Sequence, residues 1–311
     1  MKISFVIPCY RSTKTLPAVI DELKETMKTL SEYTYEIILV NDCSPDDTYE
    51  TIKAIVKEND NVKGLSLAKN FGQHGALMAG FHEVTGDILV CLDDDGQTPA
   101  NEVGKLLEGI ENGADVVYAS YDNKKHSPFR NFGSWINDKM ACKMLGKPKE
   151  LKVSSYFAAK RFVLDEMIKY TGAFPYVIGL VLRTTKNIVN VPVNHRNREV
   201  GESGYTLGKL LGLWFNGFTS FSIRPLRVAT TIGAISASAG FLYGIYTIIK
   251  KIWIRPDNLV IGFSALMSVL VFMGGMILLM LGLVGEYLGR TYITMNNSPQ
   301  FVIAQKTDSE E

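Results

Sequence analysis

Short apolar runs alternate with amphipathic segments between Lys2 and Ala119. Continuous apolar runs are typical of strands buried on both faces, and apolar residues three and four positions apart are typical of helices. The pattern predicts strands over 2–8, 35–40, 62–67, 88–92 and 115–119. It predicts helices over 16–30, from Thr48 onward, over 76–84 and over 102–112. This alternation predicts βαβ units, and therefore an α/β domain with a mainly parallel sheet.

Two later runs are apolar without interruption by charge. Residues 228–249 and 260–284 contain no charged side chain, and at 22 and 25 residues each run exceeds the roughly 20 residues that cross a hydrocarbon core. We therefore expect two transmembrane helices. Two buried helices of a soluble domain are the alternative, which is disfavoured because soluble helices of this length carry a polar stripe.

The segment before the first run is amphipathic and rich in aromatic residues, which predicts an interfacial helix within 205–225. An ordinary packed helix is the alternative there. The predicted organisation is an α/β domain over 1–204, the interfacial segment, a two-helix transmembrane region over 226–290 and a tail over 291–311.

The overall charge is nearly balanced, with 33 basic and 32 acidic residues, so nothing indicates attraction to nucleic acid. The four cysteines have neither metal-ligand spacing nor a compact disulfide pattern, which favours a reducing compartment. No secretory signal is expected, because Met1 and Lys2 lead directly into the first strand.

Polar residues follow three of the predicted strands, as Pro8-Cys9-Tyr10, Asn41-Asp42 and Asp93-Asp94-Asp95. Right-handed crossovers would bring them to one edge of a parallel sheet. Three adjacent carboxylates repel one another unless a cation neutralises them, and Mg²⁺ and Mn²⁺ prefer oxygen ligands. On an extended segment Asp93 and Asp95 can face the same way, with Asp94 pointing elsewhere. An acidic turn without metal is the alternative.

Several motifs occur in the same order as in one known family. They are Val6-Ile7-Pro8-Cys9-Tyr10, Val40-Asn41-Asp42-Cys43-Ser44-Pro45-Asp46, Asn70-Phe71-Gly72-Gln73-His74-Gly75, Met78-Ala79-Gly80, Asp93-Asp94-Asp95-Gly96-Gln97, the stretch 198–205, Arg224-Pro225-Leu226-Arg227 and the stretch 285–290. In these residues, and over nearly its whole length, the chain resembles the inverting family 2 glycosyltransferases of the GT-A fold, in the branch that acts on polyprenyl phosphates.

The resemblance implies roles for particular residues. Asp93 and Asp95 match the pair that binds Mg²⁺ or Mn²⁺ and the donor diphosphate, and Gln97 matches a glutamine that assists them. The nucleoside is expected at Pro8, Tyr10, Asp42 and Asp94, with Asp42 reading the base. The acceptor phosphate is expected at Lys124, Arg130, Arg198 and Ser203. For Lys124 a solvated face is an equal alternative.

The chain also departs from the family. It has Arg11-Ser12 for Asn-Glu, Asn41-Asp42 for two aspartates, Gly96 for leucine and Gly204 for lysine. Many relatives carry an aspartate, proposed by some as a general base, where this chain has Ser154-Ser155. A phosphate acceptor is already ionised at neutral pH, so the reaction needs no strong base.

The expected activity is inverting transfer of one sugar from a nucleotide diphosphate, with UDP favoured, to undecaprenyl phosphate. The resemblance implies a multi-pass protein of the bacterial cytoplasmic membrane with a cytoplasmic catalytic domain, and an assembly of copies, a tetramer in relatives. A processive polysaccharide synthase is disfavoured because the Gln-x-x-Arg-Trp motif is absent and two spans are too few for a conduit. A catalytically inactive membrane scaffold or flippase partner remains the alternative from another class.

Overall fold

The computed structural model describes residues 1–121, 142, 146–194, 224–254 and 263–308, which belong to two compact units. The first unit is an α/β unit that includes the residues from Asn297 onward, and the second contains two long helices. Residues 205–223 of the predicted interfacial segment lie outside the described residues, as do Lys124, Arg130, Arg198 and Ser203.

The α/β unit is built on one eight-stranded sheet. Its strands are β1 (Lys2–Cys9), β2 (Thr34–Asn41), β3 (Val62–Leu67), β4 (Ile88–Cys91), β5 (Val116–Ser120), β6 (Phe157–Lys160), β7 (Ile188–Pro192) and β8 (Ile303–Thr307). The order across the sheet is β7-β5-β6-β4-β1-β2-β3-β8. All five strands predicted between Lys2 and Ala119 are present, with ends shifted by at most one residue.

The prediction of a mainly parallel sheet holds for six of the eight strands, but the sheet as a whole is mixed. The strands β1 to β4 pair in parallel, and β5 pairs in parallel with β7. However, β6 runs antiparallel between β4 and β5, and β8 runs antiparallel to β3. The alternation of strands and helices extends only to β5, and β6 and β8 join the sheet from far along the chain. The other six strands still end at a common edge.

Helices pack on both faces of this sheet. Among the described residues they are α1 (Leu16–Thr29), α2 (Thr48–Lys57), α3 (Gln73–Phe81), α4 (Val103–Glu111), α5 (Arg161–Met167) and α6 (Val177–Thr184). The core cluster contains Ile3, Phe5 and Ile7 of β1 together with buried residues of α1, α2 and α4. On the opposite face α3 packs so closely that a Cβ atom at Gly80 would lie 2.5 Å from Val6 Cγ1. Only glycine allows this approach.

A buried carboxylate ties the amino-terminal edge of the sheet together. Glu36 Oε1 accepts hydrogen bonds from Ser4 Oγ (2.6 Å), Thr85 N (2.7 Å) and Thr85 Oγ1 (2.8 Å), while Oε2 accepts from Lys2 Nζ (3.0 Å). Burial opposes ionisation, but the bonds from Ser4, Thr85 and Lys2 outweigh it and lower the pKa of Glu36 to about 2. The ionised carboxylate therefore stabilises the fold.

Replacing Glu36 by glutamine is expected to lower the free energy of unfolding by about 3 kcal/mol at neutral pH. A folded-state pKa below the unfolded value of 4.5 gives stability that is fully present above pH 4.5 and is lost as the pH falls toward 2. The difference in the free energy of unfolding between the wild type and Glu36→Gln should therefore shrink as the pH falls. Thermal unfolding of the full chain in detergent at pH 7 and pH 3 measures it. Glu25→Gln, which alters an exposed ion pair with Lys28, is the control and should leave the midpoint unchanged.

The second unit consists of α7 (Arg224–Ile254) and α8 (Phe263–Met295). In the described part of the chain one segment, Phe272–Met295 of α8, is long and apolar enough to cross a membrane by length and composition. This helix extends beyond Val284, where the predicted second span ends. Its later charges pair within the helix, with Arg290 Nη2 lying 2.6 Å from Glu286 Oε1 one turn away.

The residues after α8 return to the α/β unit. Ala68 N donates to Val302 O (2.9 Å), and β8 then continues the pairing along the edge of β3. The hydroxyls of Tyr49 and Thr307 lie 2.8 Å apart, and Lys306 Nζ lies 2.5 Å from Glu83 Oε1. The tail predicted over 291–311 thus supplies an edge strand, β8, to the sheet.

Candidate active site

The candidate site lies where the winding of the sheet reverses. From β1 the chain adds β2 and β3 on one side, whereas β4 lies on the other. Ligands of open α/β sheets bind outside the carboxyl ends of the strands at such a switch point. Pairing of β1 with β4 ends at Val6 and Cys91, and the residues that follow these two strands carry the candidate chemistry.

Asp93 is held by two side chains from other parts of the chain. Its Oδ1 accepts a hydrogen bond from Gln73 Nε2 (3.0 Å), and its Oδ2 accepts one from Ser155 Oγ. Burial, together with the charges of Asp95 and Asp94, raises the pKa of Asp93 to about 7 against the effect of those two hydrogen bonds. The carboxylates are therefore crowded, and a cation or a cationic ligand would favour their ionised forms.

Asp94 points to a different set of partners. Its Oδ2 accepts hydrogen bonds from Tyr10 N (3.0 Å) and from Ser12 Oγ, so it connects the end of β4 to the residues after β1. Burial raises its pKa, while these two bonds act in the opposite direction. Asp94 and Asp93 therefore have different hydrogen-bond partners. This agrees with the expectation that the side chain of Asp94 points in another direction than that of Asp93.

Asp95 and Gln97 form a tight turn. Asp95 Oδ1 accepts a hydrogen bond from the backbone N–H of Gln97 (3.0 Å), and Gly96 between them has φ +72°. Few residues other than glycine adopt this conformation without strain, so glycine suits this position of the turn. The contact described for Gln97 is made by its backbone.

Asp42 binds a loop with both of its oxygens. Oδ1 accepts from Phe71 N (2.7 Å), and Oδ2 accepts from Gly72 N (2.8 Å). The side chain is buried at the end of β2, and this burial raises its pKa against the effect of the two N–H donors. Gln73, which donates to Asp93, follows Gly72 directly in the chain. The loop that Asp42 binds therefore also contacts Asp93.

Two further residues at this edge adopt left-handed backbone conformations, Arg11 (φ 59°) after β1 and Cys43 (φ 49°) after β2. Arg11 N donates to Ser44 Oγ (2.8 Å), which joins the two turns, and the Arg11 guanidinium lies 5.5 Å from the ring centre of Tyr10. Such conformations concentrate at ligand-binding sites.

The structure thus brings the predicted residues of the three strand ends together. Pro8 lies in β1 opposite Val40, Tyr10 is 44% exposed beside the acidic turn, and Asp42, Asp93, Asp94 and Asp95 lie along the same edge. Sequence reasoning did not identify Gln73, Ser155 or Ser12 as partners of these carboxylates, although each lies in a motif or at a departure noted above. In the described part of the chain, no group of three or more His, Cys, Asp or Glu side chains is arranged to hold a metal ion.

Solved structures share the fold of the α/β unit. Glucosyl-3-phosphoglycerate synthase from Mycobacterium tuberculosis, crystallised with Mn²⁺, UDP-glucose and phosphoglyceric acid, aligns with a TM-score of 0.53 and 20% identity. The alignment covers 69% of this chain and 76% of that one. The same synthase in complex with UDP aligns with a TM-score of 0.51 and 18% identity over 69% and 76% of the two chains. The likeness shows the fold, which is of the GT-A class of glycosyltransferases.

Sequence comparison gives the family. The model of glycosyl transferase family 2 matches residues 4–169, and the model of the GtrB C-terminal hairpin matches residues 224–291. The chain is 31% identical to undecaprenyl-phosphate 4-deoxy-4-formamido-L-arabinose transferase of Yersinia pestis (strain Pestoides F), over 100% of this chain and 95% of that protein. It is also 31% identical to the transferase of the same name from Klebsiella pneumoniae (strain 342), over 97% and 92%. The chain belongs to glycosyl transferase family 2.

Proposed function

We propose that this enzyme transfers a single sugar from a nucleotide diphosphate, with UDP favoured, to polyprenyl phosphate with inversion. The observation that carries the proposal is the convergence of Asp93, Asp94 and Asp95 with Tyr10 and the Asp42 loop at the switch point of a GT-A sheet. Relatives that match the whole chain are named as undecaprenyl-phosphate sugar transferases, which supports undecaprenyl phosphate as the acceptor.

Asp93 and Asp95 have the chemistry of a divalent-cation site, because hard cations prefer carboxylate oxygens and are commonly held by one or two carboxylates and substrate phosphates. Mn²⁺ accompanies UDP-glucose in the structurally similar synthase, which supports Mg²⁺ or Mn²⁺ here. When bound, such a cation supplies positive charge that stabilises the departing diphosphate. Gln97 would assist at the same turn.

The remaining residues would hold the substrates. Pro8, Tyr10, Asp42 and Asp94 border the nucleoside in this proposal, with the exposed Tyr10 ring available for stacking. Lys124, Arg130, Arg198 and Ser203 would grip the acceptor phosphate by charge-assisted bonds. An acceptor phosphate that is already ionised can attack the anomeric carbon from the face opposite the leaving diphosphate, provided that both are held in line.

We further propose that α7 and α8 both cross the bacterial cytoplasmic membrane and that the α/β unit is cytoplasmic, where nucleotide sugars are made. The match of residues 224–291 to a hairpin model supports two crossings. We also propose that copies of the chain assemble into an oligomer, which the family resemblance implies.

The test is incubation of the purified full chain in detergent with a panel of labelled nucleotide sugars, undecaprenyl phosphate and Mg²⁺ or Mn²⁺. We expect a lipid-linked monosaccharide from at least one donor and none after chelation of the metal. Absence of product with every donor would instead favour an inactive scaffold.

A further inference from the structure

The carboxylate of Asp93 is held on both oxygens by neutral donors. Gln73 Nε2 donates to Oδ1 (3.0 Å) and Ser155 Oγ donates to Oδ2. Gln73 begins α3, and Ser155 lies two residues before β6, so the donors come from 20 and 62 residues away in the chain. Two bonds from separate elements fix the orientation of a carboxylate more firmly than either bond alone.

The Gln73 side of this arrangement is itself braced. Asp42 accepts hydrogen bonds from the backbone N–H groups of Phe71 and Gly72, the two residues immediately before Gln73. These bonds hold the start of α3 against the end of β2. Gln73, the first residue of α3, therefore donates its hydrogen bond at the end of β4 from a fixed position.

We propose that Gln73 and Ser155 are positioning residues of the transfer reaction, which together form a clamp that orients Asp93. The proposal rests on the function proposed above, in which Asp93 binds the cation. Hydrogen-bond partners of ligating carboxylates fix ligand geometry, and their removal commonly costs about 10-fold to 100-fold in metal affinity or activity.

The clamp also gives a reason for serine at position 155. A hydroxyl donates a hydrogen bond to Asp93, whereas an ionised carboxylate only accepts and would add a fourth negative charge beside Asp93, Asp94 and Asp95. In this chain Ser155 therefore orients a carboxylate that binds the cation, and it does not act as a base on the acceptor.

Binding of Mn²⁺ to the full chain in detergent, followed by electron paramagnetic resonance in the presence of UDP, tests the clamp without requiring turnover. Ser155→Ala and Gln73→Ala are each expected to weaken binding about 10-fold. Ser155→Thr keeps the hydroxyl and should bind within about threefold of the wild type. Ser154→Ala is the matched control, because Ser154 Oγ donates only to the backbone oxygens of Ala119 (2.9 Å) and Tyr156 (2.8 Å) in the described residues, and its Mn²⁺ binding should be unchanged.

Transfer assays of Ser155→Asp distinguish a residue that orients Asp93 from a residue that acts as a general base. The clamp predicts a turnover at least about 10-fold below wild type, whereas equal or higher turnover would overturn it. Unchanged Mn²⁺ affinity in both alanine variants would also overturn the clamp and leave the proposed function standing. Conversely, clamp-dependent Mn²⁺ binding in a protein that makes no product with any donor would support the clamp and reject the function.

Discussion

Replacing Asp95 by asparagine is expected to lower kcat/KM for sugar transfer by about 1,000-fold or more. Asparagine keeps an oxygen that can accept the hydrogen bond from Gln97 N, so the turn is retained while one negative charge is lost. Charge stabilisation by a bound cation is worth several kcal/mol, and about 4 kcal/mol corresponds to this change in rate. Steady-state transfer assays at saturating metal measure the effect.

Two comparisons make that result specific to the charge. Asp87→Asn changes the aspartate at the other end of β4, where Oδ2 accepts from Lys2 N (2.8 Å), and it should retain activity. The thermal midpoint of Asp95→Asn should remain close to that of the wild type. Retention of more than about a tenth of the activity would show that the reaction does not need a carboxylate at this position.

Replacing Asp42 by alanine is expected to destabilise the protein by about 3 kcal/mol and to weaken donor binding. The side chain is 4% exposed, and its removal leaves the N–H groups of Phe71 and Gly72 without their acceptor. Each unsatisfied buried donor costs about 1–3 kcal/mol. Thermal unfolding and titration with UDP measure the two effects.

Asp42→Asn distinguishes between the two roles of this residue. Asparagine has one acceptor oxygen and one amide, so a loop-bracing role predicts an intermediate loss of stability. A residue that only reads the base would instead lose UDP affinity without loss of stability. Asp47→Ala is the control, because Asp47 is exposed just before α2 and its side chain makes no capping hydrogen bond.

The early part of the fold could be predicted because its signals are local. Each strand from β1 to β5 is a short apolar run, and its neighbours in sequence are helices with an apolar face. By contrast, β6 has four residues, Phe157–Lys160, and it joins the sheet between strands that precede it in the chain. No periodicity in so short a segment indicates its direction, and for this reason the mixed character of the sheet was not predicted.

The site was predictable to a similar extent. Chain direction and parallel winding place Asp42 and Asp93 at one edge, and both are there. The partners that orient them were not predictable, because Gln73 and Ser155 reach Asp93 through contacts between distant segments. The glycine at position 96 suits the positive φ of its turn, whereas the serine at position 155 became interpretable only once its contact with Asp93 was known.

The position of β8 has a consequence for biosynthesis. Chains fold largely from the amino terminus as they are made, and β8 follows α7 and α8 in the order of translation. Until those helices have been synthesised, β3 is a bare edge with unpaired backbone groups, which is a template for aberrant association. With α7 and α8 inserting into the membrane as proposed above, the nascent enzyme passes through that stage with its sheet one strand short, and delays there should promote aggregation of the newborn chain.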